Sequence, residues 1–338
     1  IIILFLTLFR KRVFFRWFFP VIIKNLNLDN IQVAGDDWVA LFCGWCWIVR
    51  GEVINCSVSG EVTGNDKIGG FFGYCVDGSI KYCNASVTVQ GTSDVGGFAG
   101  YCTNTPEIEY CNVYGEVTGD ENVGGFSGYI HSGRFINCYT SSTVFGNDSY
   151  SGGFTGYTRF GYFQYCSSFG RVDGNSYVGG FAGYIQSSTV SNCSASGNVY
   201  AQNDYAGGFA GFNKQNLSRC FSYGSVHANT NTGGFIGGNN SGYYNCCFWN
   251  ETANPGLEDS GQDGDLGDEV TALSETQFAN SSSFPCFDFD NTWVSDRSFP
   301  IHKWYFNNHL VPTLTEWAVI LFIGLLAGVG GWFVWRRM

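Results

Sequence analysis

Apolar and polar positions alternate along this chain on a period that scarcely drifts. A cysteine recurs at Cys56, Cys83, Cys111, Cys138, Cys166, Cys193, Cys220 and Cys247, in steps of 27, 28, 27, 28, 27, 27 and 27 residues. Three places before each stands an apolar side chain: Val53, Ile80, Ile108, Phe135, Phe163, Val190 and Leu217, then Tyr244 or its neighbour Tyr243. Six places after each of the first seven stands a valine, from Val62 to Val226. Glycine pairs keep the same phase, and each is followed by phenylalanine: Phe71, Phe98, Phe126, Phe154, Phe181, Phe209 and Phe235. Two residues later comes another glycine, usually followed by tyrosine. Each unit therefore offers about three short strands separated by Gly, Asn and Asp turns.

One such unit cannot bury its own apolar face. Stacking the units buries a continuous core and pairs each strand with those above and below. The predicted fold is an all-β parallel β-helix (a β-solenoid) of about eight 27–28-residue rungs over residues 22–250. At ~4.8 Å per rung it is roughly 40 Å long. Phe, Val and Ile ladders fill the interior, and glycines with positive φ are expected to make the corners. A degenerate early copy is visible where Phe42-Cys43-Gly44-Trp45-Cys46 lines up with Phe71-Phe72-Gly73-Tyr74-Cys75.

Composition sharpens this picture. Glycine is abundant at 47 residues and charged residues make up only 13%, which suits repeated turns and stacked strands. The net charge of −11, with no basic stripe, argues against a nucleic-acid partner.

The units resemble the GLUG-motif repeat family. The resemblance lies in a Gly-Gly-(apolar)-x-Gly-Tyr segment, such as Gly96-Gly97-Phe98-Ala99-Gly100-Tyr101. An (apolar)-x-Asn-Cys-x-x-x-Gly segment follows, as in Val190-Ser191-Asn192-Cys193-Ser194-Ala195-Ser196-Gly197. Phe stands where the family most often has Leu. The resemblance implies a secreted or surface bacterial protein, adhesin-like or a non-catalytic region of a secreted peptidase, with no catalytic residues in the repeats.

Residues 251–269 are acidic and glycine-rich and read as a loop. Ser274 and Gln277 then form a capping box, predicting a short helix over 274–280. Residues 251–310 are expected to be a small α/β cap over the last rung. Trp317 to Trp335 is an uncharged stretch of 19 residues, long enough to span a bilayer, and Arg336 and Arg337 follow it. The positive-inside rule places that end in the cytoplasm and the solenoid outside. Residues 311–338 resemble the IPTL-CTERM protein-sorting domain. Pro312, Thr313, Leu314, Glu316 and Trp317 form its signature, and Arg336 and Arg337 its terminal cluster. Val311 replaces the usual Ile. The resemblance implies recognition and removal by an exosortase-like membrane enzyme; an ordinary single-span anchor is the alternative. Residues 1–21 are apolar and basic, do not fit the repeat, and are read as a truncated or misread gene start with a secretion signal upstream.

Five patterns invite chemistry. The cysteine column is expected to be a buried ladder of mostly free thiols, with disulfides as the alternative. A second column, Cys46, Cys75 and Cys102, is the better disulfide candidate because it sits by a turn. Cys43-Gly44-Trp45-Cys46 has the form of a redox or zinc half-site, but repeat alignment explains it and no second pair accompanies it. Asp66, Asp94, Asp120, Asp148, Asn175, Asp204 and Asn231 recur near one corner, where stacked carboxylates suggest Ca²⁺ and turn chemistry explains them equally well. Residues 259–269, with five acidic side chains, form a second weak calcium candidate. No metal or cofactor is otherwise expected. The rungs are nearly uniform, the basic residues scattered, and the four histidines in unrelated contexts, so the chain is read as a non-enzyme. A carbohydrate-active β-helix enzyme is the alternative. The expected partners are the membrane, the processing enzyme and an unidentified surface ligand, glycan or protein.

Overall fold

A computed structural model describes residues 22–48, 51–240, 242–262, 266, 269–295 and 298–305, and the backbone of 8–9 and 12–17. The chain divides after Phe278 into a unit holding the repeats and a smaller one beginning at Ala279.

The repeat unit is a three-faced parallel β-helix. Each turn lays one strand on a first face, as at Glu52–Ile54, and one on a second, as at Ser57–Thr63. It then lays two on a third face, as at Asp66–Gly69 and Phe72–Val76. Among the described residues the first face holds nine strands, from Ile22–Lys24 to Tyr244–Asn245, so these residues form nine turns rather than about eight. The added turn is the degenerate copy that begins at Ile22.

Equivalent residues pair directly. Ile80 registers with Val53 and Ile108, and Val89 with Val62 and Val117. Leu217 registers with Tyr244, which is 1% exposed, whereas Tyr243 is 55% exposed and faces out. The seven phenylalanines after the glycine pairs are all fully buried. Neighbouring rings stack with centroids 4.7–5.2 Å apart, and Phe42 extends the ladder by one more ring at 4.5 Å. Each burial contributes about 1.5–3 kcal/mol, and each stacked pair about 0.5–1.5 more.

Glycine plays a different part from the one expected. The glycine pairs do not have positive φ. A Cβ on Gly97 would lie 2.4 Å from the carbonyl oxygen of Gly125 in the next rung, so the column serves close approach rather than turning. The corners turn instead on other residues. Asn55, Tyr82, Tyr110, Asn137, Tyr165, Asn192 and Arg219, each just before a ladder cysteine, have φ of 52–57°. A left-handed non-glycine residue costs about 1–2 kcal/mol, and contacts between rungs offset it. Tyr82 stacks on Tyr110 at 5.0 Å, Asn55 donates to Asn25 at 2.6 Å, and Arg219 donates to Asn192 at 3.0 Å.

Two further expectations change. Arg12–Trp17, read from sequence as foreign to the repeat, pairs in parallel with Cys43–Ile48, with Phe14 opposite Trp45. Leu8–Phe9 then pairs antiparallel with Arg12–Trp17. Strand addition needs only backbone donors and acceptors, which repeat matching does not see. Residues 251–269, read as a loop, contain the strand Glu258–Ser260 on the third face. Val270–Leu273 adds to Cys247–Asn250 on the second. The expected helix is present but short, at Glu275–Phe278, and Gln277 accepts from the Ser274 backbone N–H at 2.9 Å.

In the smaller unit, Trp293–Ser295 and Pro300–His302 form an antiparallel pair. Trp293 is fully buried, with Phe287 stacked at 4.8 Å and His302 at 3.9 Å. The predicted span 317–335 lies outside the described residues. No helix among those described is long and apolar enough to cross a membrane.

The phenylalanine ladder should dominate stability. Phe154→Ala is expected to destabilise the chain by about 3–5 kcal/mol in urea unfolding, and Phe154→Leu by clearly less. An unchanged midpoint for Phe154→Ala would contradict a packed ladder.

Candidate functional site

The third face carries a second aromatic column, directed outward. In Phe72–Val76, Tyr74 is the single partly exposed residue, between Gly73 and the buried Cys75. Parallel pairing places Trp45, Tyr74, Tyr101, Tyr129, Tyr157, Tyr184 and Phe212 in one register. From Tyr74 to Phe212 neighbouring centroids lie 4.9–5.4 Å apart with planes within 10°. Trp45 meets Tyr74 edge-on at 6.0 Å. The column ends opposite Gly238.

Beside it runs a corner column in the left-handed conformation: Trp38, Lys67, Asp94, Asn122, Tyr150, Tyr177, Tyr205 and Asn231. Its tyrosines stack at 5.1 and 4.8 Å. Tyr150 stands nearly perpendicular to Tyr157 and Tyr184, and Tyr205 steeply inclined to Phe212. The outward strip is thus two rings wide at one end and flanked by polar corner residues at the other. On the opposite flank Gln186 accepts from the Tyr157 hydroxyl at 2.5 Å, and the Lys214 ammonium lies 5.4 Å from the Tyr184 ring centre.

Burial governs the electrostatics of this strip. It raises the phenols of Tyr74, Tyr101 and Tyr129, and pushes Tyr157 up to about 12, so these hydroxyls keep their protons. Asp94 is 7% exposed, and burial raises its carboxyl to about 6. The Lys67 ammonium 3.6 Å away and a hydrogen bond from the Asn122 amide at 2.9 Å oppose that rise without cancelling it. Lys67 also pairs with Asp66 and lies 5.6 Å from the Tyr101 ring centre.

The residues singled out from sequence fall elsewhere. Cys56, Cys83, Cys111, Cys138, Cys166, Cys193, Cys220 and Cys247 form a buried ladder of free thiols. Their sulfurs face backbone carbonyls, as Cys83 does at Lys81 (3.3 Å) and Val53 (3.6 Å). At Cys111, Cys138 and Cys193 burial, the largest influence, holds the proton on, which makes them packing groups rather than nucleophiles. Cys46, Cys75 and Cys102, the expected disulfide column, are buried and free, as is Cys43. In-register neighbours point the same way, so proximity alone does not align their sulfurs for bonding.

The acidic and amide residues do not make one carboxylate column. Asp66 registers with Ser93, not Asp94. Asp120 accepts from Asn147, and Asp204 from Asn231. Among the described residues no three His, Cys, Asp or Glu side chains gather around a common point. In the second calcium candidate, Asp259 accepts from the Trp249 indole and Glu269 from the Tyr244 backbone N–H. The sorting residues Pro312, Thr313, Leu314, Glu316, Trp317, Arg336 and Arg337 lie outside the described residues. The tyrosine column was missed as a site, although its signal, a tyrosine after the third glycine of nearly every unit, is plain in the sequence.

Residues 174–200 match the family model described as the GLUG motif. That segment spans about one turn of the solenoid, from the second face of one rung to that of the next. No curated protein matches the chain. A solved structure from Bacteroides ovatus, described as a proposed immunoglobulin A1 protease, is 16% identical with a TM-score of 0.41. The similarity covers 84% of this chain and 75% of that one. A likeness at that level distinguishes neither fold nor function.

Asp94 supplies a pH test. Its carboxyl ionises near 3.8 when unfolded and about 6 when folded, so between those values the folded chain holds more protons. Stability should therefore fall as pH rises through that window, by up to about 3 kcal/mol. Asp94→Asn is expected to flatten that slope in thermal melts taken across the window. An unchanged slope would place the titration elsewhere.

Proposed function

We propose that this chain is an exported bacterial solenoid, displayed at the cell surface, with a structural or adhesive role. The observation that carries this reading is the outward aromatic column, which repeats without interruption from Trp45 to Phe212. A surface that presents one pattern rung after rung suits multivalent attachment, because weak contacts add along its length. Catalysis calls instead for a local break with clustered acid, base or nucleophile. The GLUG match in residues 174–200 supports a repeat protein of this kind.

Export and sorting rest on the C-terminal sequence. Pro312 to Trp317 form the recognition element for an exosortase-like membrane enzyme. The stretch from Trp317 to Trp335 serves as a single span, with Arg336 and Arg337 on the cytoplasmic side. The mature solenoid then lies at the surface or is released. Mass spectrometry of native protein should find a C-terminus upstream of Trp317. Native chains that retain Met338 would instead indicate a plain anchor.

A second reading, cleavage of a polysaccharide, is favoured by one observation. Asp94 is a buried acid with a raised pKa, and Lys67 joins it to the aromatic strip at Tyr101. Purified chain incubated with acidic polysaccharides is expected to leave their size distribution unchanged in gel filtration. Shortening that Asp94→Asn abolishes would overturn the adhesive reading in favour of the enzyme.

A further inference from the structure

We infer that the outward aromatic column is the track for an extended, neutral polysaccharide lying parallel to the solenoid axis, one sugar per rung. This rests on the adhesive reading and specifies its ligand and its face.

The first argument is spacing. From Tyr74 to Phe212 the ring centres repeat every 4.9–5.4 Å. An extended β-1,4-linked hexose chain advances by close to one inter-strand spacing per sugar, so each sugar meets one rung and alternate sugars present the same edge to it. A peptide strand laid along the same axis advances about 3.3 Å per residue and drifts out of phase within a few rungs. The periodicity therefore selects a glycan over a peptide.

The second argument is chemistry. Every member of the column is an uncharged aromatic, and burial holds the protons on Tyr74, Tyr101, Tyr129 and Tyr157, the last pushed up to about 12. Each hydroxyl can then both donate and accept, as a sugar hydroxyl does. Tyr150 and Tyr205, steeply inclined to the column, add partly exposed apolar surface for sugar C–H groups, while Gln186 and Lys214 provide polar groups on the other flank. With a net charge of −11 the chain would repel an acidic polysaccharide, and the column itself offers no charged partner to a cationic one, which leaves the neutral class.

The third argument is the way the column ends. A Cβ on Gly238 would lie 2.8 Å from both the Phe212 and Tyr205 rings. Glycine there makes room for those two rings, which close over its buried backbone and complete the track at Phe212.

The test is calorimetric titration of the full chain with cellotriose, cellohexaose, mannohexaose and, as the acidic control, hexagalacturonate. At least one neutral hexasaccharide should bind, about ten-fold or more tighter than the cellotriose, and hexagalacturonate should bind no better than cellotriose. Replacing Tyr101 and Tyr129 together by Ser should weaken the hexasaccharide by about ten-fold or more. Tyr129→Phe keeps the ring stack, guards against loss of fold, and should lose a smaller part of the affinity through its missing hydroxyl. The inference is overturned if neither neutral hexasaccharide binds, if the acidic one binds best, or if both variants bind like the parent. It is also overturned if sedimentation shows a second copy whose release depends on the same tyrosines. Retention on collagen-coated surfaces without any glycan binding would overturn the glycan track and leave the adhesive reading standing. Loss of both would overturn both.

Discussion

A Cβ at Gly97 would stand 2.4 Å from the carbonyl oxygen of Gly125, and the same collision recurs at the second glycine of each pair from Gly70 to Gly208. The backbone of each rung occupies the space that a side chain on its neighbour would need. Removing that side chain lets the third face bend sharply while keeping ordinary strand spacing. Rung phase, ring stacking and the course of the outer surface all depend on this approach. Alanine in that column would force a rung outward and break the ladders on either side of it.

Given that spacing, one mechanism builds two different surfaces. Parallel in-register pairing sets each residue directly over its counterpart, so aromatic rings stack wherever the unit places them. Inside, Phe71 to Phe235 exclude water and supply cohesion. Outside, Tyr74 to Phe212 stack at nearly the same separation but remain partly exposed, and all but Phe212 carry a hydroxyl. The corners draw on the same stacking. Left-handed residues such as Tyr82, Asn55 and Arg219, costly in isolation, are held by contacts one rung away: Tyr82 with Tyr110, Asn55 with Asn25, and Arg219 with Asn192.

The corner column beside the tyrosines is the least uniform part of the solenoid. Lys67, Asp94 and Asn122 give way to Tyr150, Tyr177 and Tyr205 within consecutive rungs. Part of the outer strip is therefore bordered by Lys67 and the buried Asp94 and Asn122, and another part by a second row of rings. Asp94 stays buried because Lys67 and Asn122 meet its oxygens, though not strongly enough to offset the loss of water. This asymmetry gives the strip a direction that the backbone repeat alone does not have.

Much of the architecture was legible in the sequence, because a rung that repeats must bury the same positions each time. The cysteine, valine and phenylalanine columns identified the inward positions, and the structure places all of them in the core. Repetition could not say why the glycines recur. Close approach and a left-handed turn both require glycine, and only the neighbouring backbone distinguishes them. Nor could it reveal the strands Arg12–Trp17 and Glu258–Ser260, whose backbones join the third face without the repeat's side-chain signature. The sequence by itself determined the fold class, the core and the periodicity, since burial follows from pattern. The tertiary structure alone decided which tyrosines share a surface, which residues turn the corners, and that Asp94 meets Lys67. Those relations link residues a full turn apart, and they exist only once the rungs are stacked.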